Sequence, residues 1–325
     1  LLGDAAFHFV MTSIDDAPSL APKIFRFSDV DEFRSSIRGL NIEFTPFVRR
    51  ISAEQLIVRL PGCDVNVTRA FPRVVDAQLV DDCTAIGFAM DNLDVPIRFN
   101  GAKQDHSVIV IGDGGAAYNT IEEVQRQIAS IVFRPRVKDR GWPEAPSSFK
   151  LFETSAAALY RLRRTVMEVV AAASEPIAAA ELLLKATAMR ESLIVAVDAA
   201  IADIVPARWT SLPNHERNFR IFQQIRALLS DDLGQPIYSE EVARKLGLSV
   251  RTMHDVVRRY RGMSLHRYLR LRRLWLVRQR LLAGAESVKA VALAFGFWHL
   301  SDFSRSYRDQ FGETPSQTLE FGRKR

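Results

Sequence analysis

Between residues 24 and 140 the apolar positions come in short runs. Stretches 44–51, 56–60, 65–70 and 108–112 are rich in β-branched and aromatic residues. Turn signals separate them: Pro61-Gly62, Phe71-Pro72, Asn100-Gly101 and Gly112-Asp113-Gly114-Gly115. Many short strands bounded in this way predict a β-sandwich or barrel, with short helices at 29–37 and 120–130 beside it. The glycine-rich run lacks the Gly-Lys-Ser/Thr ending of a phosphate loop, so a hairpin turn is expected there. Beyond a proline-rich break at 141–146 the period lengthens. Leu159, Leu162, Val166 and Val169, then Leu182, Ala186, Met189, Leu193, Val197 and Ile201, recur at helical spacing. Two helices meeting near Glu175-Pro176 are predicted. Their stripe either covers the β domain or supplies a dimer seam through 155–204.

After further breaks at Val205-Pro206 and Leu212-Pro213-Asn214, the pattern stays helical to the end. Phe219, Phe222, Ile225 and Leu229 share one face of a helix. Ser239, followed by Glu240 and Glu241, suits the start of the next, and Ser249 caps a third with Met253, Val256 and Val257 inward. Ala243 at a helix crossing and Gly247 in the tight turn four positions later have helix-turn-helix spacing. One such match is weak, but this one recurs. Ala292 and Gly296 repeat it behind the cap Ser287, and Phe303, Tyr307 and Phe311 face inward on the helix that follows. Between the two units, Leu265, Tyr268, Leu271, Leu274, Val277 and Leu281 run along a helix capped by Ser264. At ~1.5 Å per residue that segment spans roughly 28 Å. Two helices mounted at its ends could therefore enter successive major grooves, about 34 Å apart.

Charge sharpens the picture. Residues 214–325 carry 21 Lys/Arg against 11 Asp/Glu, whereas the rest of the chain holds 23 basic and 27 acidic residues. A basic third on a mildly acidic body is the electrostatic footprint of a nucleic-acid-binding module. The length, 325 residues, suits more than one domain. No run is long and apolar enough for a membrane span. Cys63 and Cys83 form no disulfide framework, and both are expected to be core thiols in a cytoplasmic protein. No basic segment precedes Lys23, so no secretory leader is expected, and a start at Met11 would leave 1–10 without a role.

The tandem units joined by a long helix resemble the AraC/XylS family of bacterial transcription regulators. The second unit carries most of the likeness: 288–315 reads VKAVALAFGFWHLSDFSRSYRDQFGETP, with a Gly-Phe turn and a Phe-Gly-x-x-Pro end. The first, from Leu246-Gly247-Leu248-Ser249 through Gly262-Met263-Ser264, fits as well. Gly-Phe-Trp-His-Leu resembles the branch that includes ethanolamine-operon-type activators. The likeness covers about 219–322, and it implies an activator. It also implies a cupin-like β domain at 1–150, a helical linker or dimerisation region at 151–212, and an all-α DNA-binding domain at 213–325. The implied partners are promoter DNA, RNA polymerase, a second copy of the chain and a small-molecule effector. An architectural DNA-binding protein with a ligand-independent N-terminal body is the alternative.

Outward residues near the start of each recognition helix are candidate base readers: Arg251, His254 and Asp255 in the first unit, Leu300, Ser301, Ser304 and Arg305 in the second. Arg305 is the leading one, since a guanidinium can grip guanine O6 and N7 together. A surface ion pair to Asp302 or Asp309 is its plainer role. Asp255 could accept from cytosine N4 but repels phosphate. Arg258, Arg261, Arg267, His299 and Arg308 are candidate phosphate contacts. Ala243, Gly247, Met253, Ala292, Gly296 and Phe303 are structural, and Trp298 is expected in the core. No enzyme chemistry is expected. The six histidines form no metal-ligand pair, and only His106 falls in the strand-rich stretch 24–140, so no metal, cofactor or catalytic group is assigned.

Overall fold

The structure is a computed structural model that describes residues 20–93, 95–104, 107–138, 140–176, 178, 180–206, 215–230 and 239–324. The breaks expected at Leu212-Pro213-Asn214, the boundary at 212/213, His106 and residues 1–10 lie outside them. The N-terminal strands are β1 (Lys23–Phe27), β2 (Leu40–Pro46), β3 (Ala53–Leu60), β4 (Cys63–Ala70), β5 (Arg73–Leu79), β6 (Thr84–Ala89), β7 (Ile97–Phe99), β8 (Ala102–Gln104), β9 (Val108–Asp113), β10 (Ala117–Glu122), β11 (Arg126–Phe133), β12 (Lys150–Glu153) and β13 (Val205–Pro206). They form an eight-stranded sheet in the order β1-β3-β4-β11-β6-β9-β12-β13 and a five-stranded sheet in the order β2-β5-β10-β7-β8. Neighbours run antiparallel.

Three sequence expectations need correction here. The sheets face each other as an open sandwich, and no closed barrel forms among the described residues, so the cupin-like barrel does not appear. The glycine-rich run is not a hairpin turn. It carries the chain from β9 in one sheet to β10 in the other. Gly115 sits at φ +86°, and a Cβ on Gly114 would lie 2.8 Å from Asp82 N. The helix expected at 120–130 is instead the end of β10 and the start of β11. Strand β11 pairs on both sides, with β4 and β6. Ala129 and Ile131 on one of its faces lie in the core, Ile128 and Val132 on the other line the space between the sheets, and a strand covered on both faces loses the polar alternation that would mark it. The short helix expected at 29–37 does form, as α1 (Val30–Ser36), with the Asp29 carboxylate accepting from the N–H groups of Asp31 and Glu32.

The outer face of the large sheet is covered by α2 (Ala156–Ser174) and α3 (Leu182–Ala202). Leu159, Leu162, Val166, Leu193 and Val197 pack there against Val58, Val65, Ile109 and Ile131 in one core. Leu193 and Val197 are 0% exposed. The stripe considered as a dimer seam is therefore monomer core. The opposite faces of the pair leave Tyr160, Met167, Leu183, Leu184 and Val195 exposed. Between the sheets lies a cavity of about 170 Å³.

The C-terminal helices are α4 (His215–Ser230), α5 (Ser239–Lys245), α6 (Val250–Arg261), α7 (Leu265–Leu282), α8 (Val288–Ala294), α9 (Leu300–Phe311) and α10 (Pro315–Lys324). They dock on the small sheet and α1. Leu274, Trp275, Val277 and Leu281 of α7 share a core with Phe33, Ala53 and Phe71. Trp275 Nε1–H donates to Pro46 O (3.2 Å), and Gln279 Nε2–H to the Asp31 carboxylate (2.9 Å). Arg272 pairs with Glu43 at 3.1 Å.

Candidate nucleic-acid interface

The two units are near-copies at the level of single hydrogen bonds. Gly247 and Gly296 have φ of +64° and +76°, a region where a side chain would be strained. Just past each glycine the chain turns back: Leu248 N–H donates to Ala243 O (2.8 Å) and Phe297 N–H to Ala292 O (2.9 Å). Ala243 and Ala292 are buried at the crossings, as are Met253 and Phe303 on the helices that follow. Both of those helices end on a left-handed glycine. Gly262 N–H donates to Arg258 O and Gly312 N–H to Arg308 O. Helix α7, with 18 residues and Ser264 Oγ accepting from Arg267 N–H, joins the units.

The outward faces of α6 and α9 carry the predicted readers. Arg251, His254, Asp255 and Arg258 are exposed on α6; Ser301, Ser304, Arg305 and Arg308 are exposed on α9. His254 bonds Ser239 Oγ at 3.1 Å. Arg305 comes within 3.9 Å of Asp302 at a largely solvated site, where such a pair contributes little. Arg267 and His299 are exposed too, whereas Leu300 is half-buried against the second unit's core. Trp298, expected in the core, is 62% exposed on the turn before α9. The Gly-Phe turn instead packs its half-buried Phe297 against Phe303, ring centroids 4.9 Å apart.

Arg261 is the clear correction. Expected at a phosphate, it is 1% exposed and faces the sandwich. Its Nη1 and Nη2 grip the two Asp76 oxygens at 3.0 and 2.8 Å. Phe222 and Tyr268 rings lie 4.5 and 4.4 Å from its Cζ. Burial disfavours its charge, but the Asp76 carboxylate together with Tyr268 and Glu43 outweighs that and holds the pKa above the ordinary value. Asp76 also accepts from Asn119 Nδ2 (3.1 Å) and lies 3.6 Å from Arg226. A signal for this was present in the sequence: an offset of 50 residues maps Arg258 to Arg308 and Gly262 to Gly312, and so maps Arg261 to the core residue Phe311. Nearby, Arg259 Nε–H donates to Gly101 O (3.2 Å), and Arg98 Nη1–H to Arg259 O (3.3 Å). Docking thus occupies the C-terminal end of α6 and leaves its reading face in solvent.

Buried hydroxyls and thiols elsewhere are structural. The Tyr260 and Tyr307 phenols are pushed up to about 12 by burial, and burial raises the Cys63 thiol above its ordinary value. Cys83 is buried and accepts from Arg134 Nε–H at 3.2 Å. Among the described residues no cluster of His, Cys, Asp or Glu could hold a metal, and no helix is long and apolar enough to cross a membrane.

A helix-turn-helix domain family matches residues 242–320. The XylDLEGF operon transcriptional activator 3 of Pseudomonas putida is 35% identical over 101 residues, 30% of this chain and 30% of that protein. The HTH-type transcriptional activator RhaS of Klebsiella pneumoniae is 37% identical over 92 residues, 28% of this chain and 33% of that one. A solved structure, a probable AraC family transcriptional regulator from Rhodopseudomonas palustris CGA009, shares 33% identity over 32% of this chain and 97% of its own, with a TM-score of 0.30. The chain spans about a third of the length of the first two relatives. The family match lies within the C-terminal domain.

Proposed function

Because the C-terminal third of this chain is a helix-turn-helix domain of the AraC type, we propose that the protein is a sequence-specific, DNA-binding transcriptional activator. Helices α6 and α9 enter successive major grooves of a promoter. Arg305 reads a base pair, and Arg258, Arg267 and Arg308 bind phosphates. The observation that carries this reading is the duplicated unit, with its exposed polar and basic face on each second helix. Activation would proceed through contact with RNA polymerase in the cytoplasm. A homodimer would form through the exposed apolar face of α2 and α3. The sandwich would sense a small-molecule effector, since its small sheet holds the C-terminal domain on one face and lines a cavity with the other.

The test is a set of binding titrations on a site selected from random duplexes and on its scrambled form. Arg305→Ala should cost about 1–3 kcal/mol on the selected site and relax preference at one base pair. Arg308→Ala should weaken both duplexes equally and reduce the salt slope by about one. Equal losses on both duplexes for Arg305→Ala would move that residue to the phosphate set. Binding with no salt dependence would contradict the phosphate contacts altogether.

A further inference from the structure

The outward face of α9 continues onto the sandwich. Ser301, Arg305 and Arg308 are exposed and recur at steps of four and three, so they line one face of the helix. One more step of four reaches Gly312, exposed and left-handed at φ +74°, where a side chain would be strained. The group beside it comes from the other domain. A Cβ on Gly312 would lie 3.7 Å from Arg49 Cδ and 3.8 Å from Arg49 Nη1. Arg49 belongs to the turn between β2 and β3, and it extends the stripe about 6 Å beyond Arg308 along the helix axis.

That turn is pinned at several points. Phe47 N–H donates to Pro72 O (3.0 Å) and Trp275 Nε1–H to Pro46 O (3.2 Å). Val48 and Ile51 are half-buried against the core of the second unit, and Phe47 shares a cleft with Ser306, Asp309 and Gln310 of α9. Its apolar side chains are thus spent on docking, while Arg49 and Arg50 stay exposed. Neither forms an ion pair or a side-chain hydrogen bond among the described residues, Asp309 included. The acids Glu43 and Glu313 are held by Arg272 and Arg278. Two solvated cations on a fixed backbone, with no pair to break, suit a polyanion lying along α9.

We propose that the sandwich itself binds DNA: Arg49 and Arg50 contact phosphates at the rim of the major groove that receives α9. This rests on the DNA-binding reading above and extends its surface beyond the helix-turn-helix domain. Such contacts carry no sequence information but fix register on the duplex. Each neutralised phosphate releases counterions and steepens the salt dependence by about 0.9 in log–log slope. The docked arrangement of the two domains therefore has two phosphate contacts that an undocked one forfeits.

Titrations of the full chain over a salt series, on a selected duplex and its scrambled form, test the proposal. Arg49→Met with Arg50→Met should lower the slope by about two on both duplexes, so that the affinity ratio between 50 and 200 mM salt shrinks roughly 10-fold. Arg49→Lys with Arg50→Lys keeps the charges and should restore most of the slope, which a purely structural role for the turn would not require. Phosphate-ethylation interference should vanish in the Met variant at the phosphates flanking the α9 segment and persist at those flanking the α6 segment. An unchanged slope, tighter binding by the Met variant, or no rescue by lysine would overturn the proposal. Arg308→Ala separates the two readings. If it lowers the slope by about one while the Met variant does not, only the sandwich contact falls. If the unsubstituted chain shows no salt-dependent binding to any duplex, the DNA-binding reading falls and takes this one with it.

Discussion

Replacing Asp76 by Ala removes the carboxylate that neutralises Arg261 between the sandwich and the C-terminal domain. Asp76 is 3% exposed and Arg261 1%, so water does not screen the change. A buried guanidinium stripped of its partner costs about 3–5 kcal/mol. Asn119 Nδ2 loses an acceptor as well. The molecule has a cheaper response than global unfolding: α6 can lift from the small sheet and let water reach Arg261. The measured loss is therefore capped by the free energy of docking. Amide hydrogen exchange should show faster exchange over β5, β10 and the C-terminal end of α6, with the core beneath α2 and α3 little changed. A double-mutant cycle in chemical denaturation isolates the pair. Arg261→Met, which substitutes an apolar side chain of similar length, should recover much of the Asp76→Ala loss, giving a coupling above about 1.5 kcal/mol. Additive single effects, or unchanged exchange in Asp76→Ala, would refute the reasoning.

Two further expectations concern other surfaces. Leu193→Lys should unfold the N-terminal domain, because Leu193 is core. Leu184→Lys with Val195→Lys should leave the melting temperature within a degree or two but convert a dimer to a monomer in sedimentation; a folded Leu193→Lys protein would contradict the packing. His215, at the start of α4, has its pKa lowered by burial and by Arg259. Protons then bind the unfolded chain more readily, so stability is full above the ordinary histidine value near 6.5 and falls as pH drops from there toward the lower folded value. Urea midpoints at pH 7.5 and 5.5 should show that fall, and His215→Gln should reduce it.

Local chemistry was legible in the sequence where it acts locally. The caps Ser249, Ser264 and Ser287 and the pairs Ala243–Gly247 and Ala292–Gly296 sit where spacing placed them, because a cap or a left-handed turn needs a particular residue type. Strand pairing is not local, and there the reading failed. Ile121, Val124 and Ile128 recur at three and four and imitate a helix, while β10 and β11 are held by partners as distant as β5 and β4. Whether two sheets close into a barrel depends on edges that no single segment encodes. Arg261 was misassigned because Arg258, three residues before it on α6, is solvated, while the partner that holds Arg261 inside is a carboxylate 185 residues away. Arg49 and Arg50 went unnoticed because the run 44–51 reads as strand, and only the docked fold brings its end beside α9.

The central claim, that one chain reads two successive major grooves, is tested most directly by hydroxyl-radical footprinting on a selected site. The account predicts two protected segments on one face of the duplex, about one turn or 10–10.5 base pairs apart for each monomer, with Arg305→Ala weakening one segment and Arg251→Ala the other. A single protected segment for each monomer, or two on opposite faces of the duplex, would contradict it.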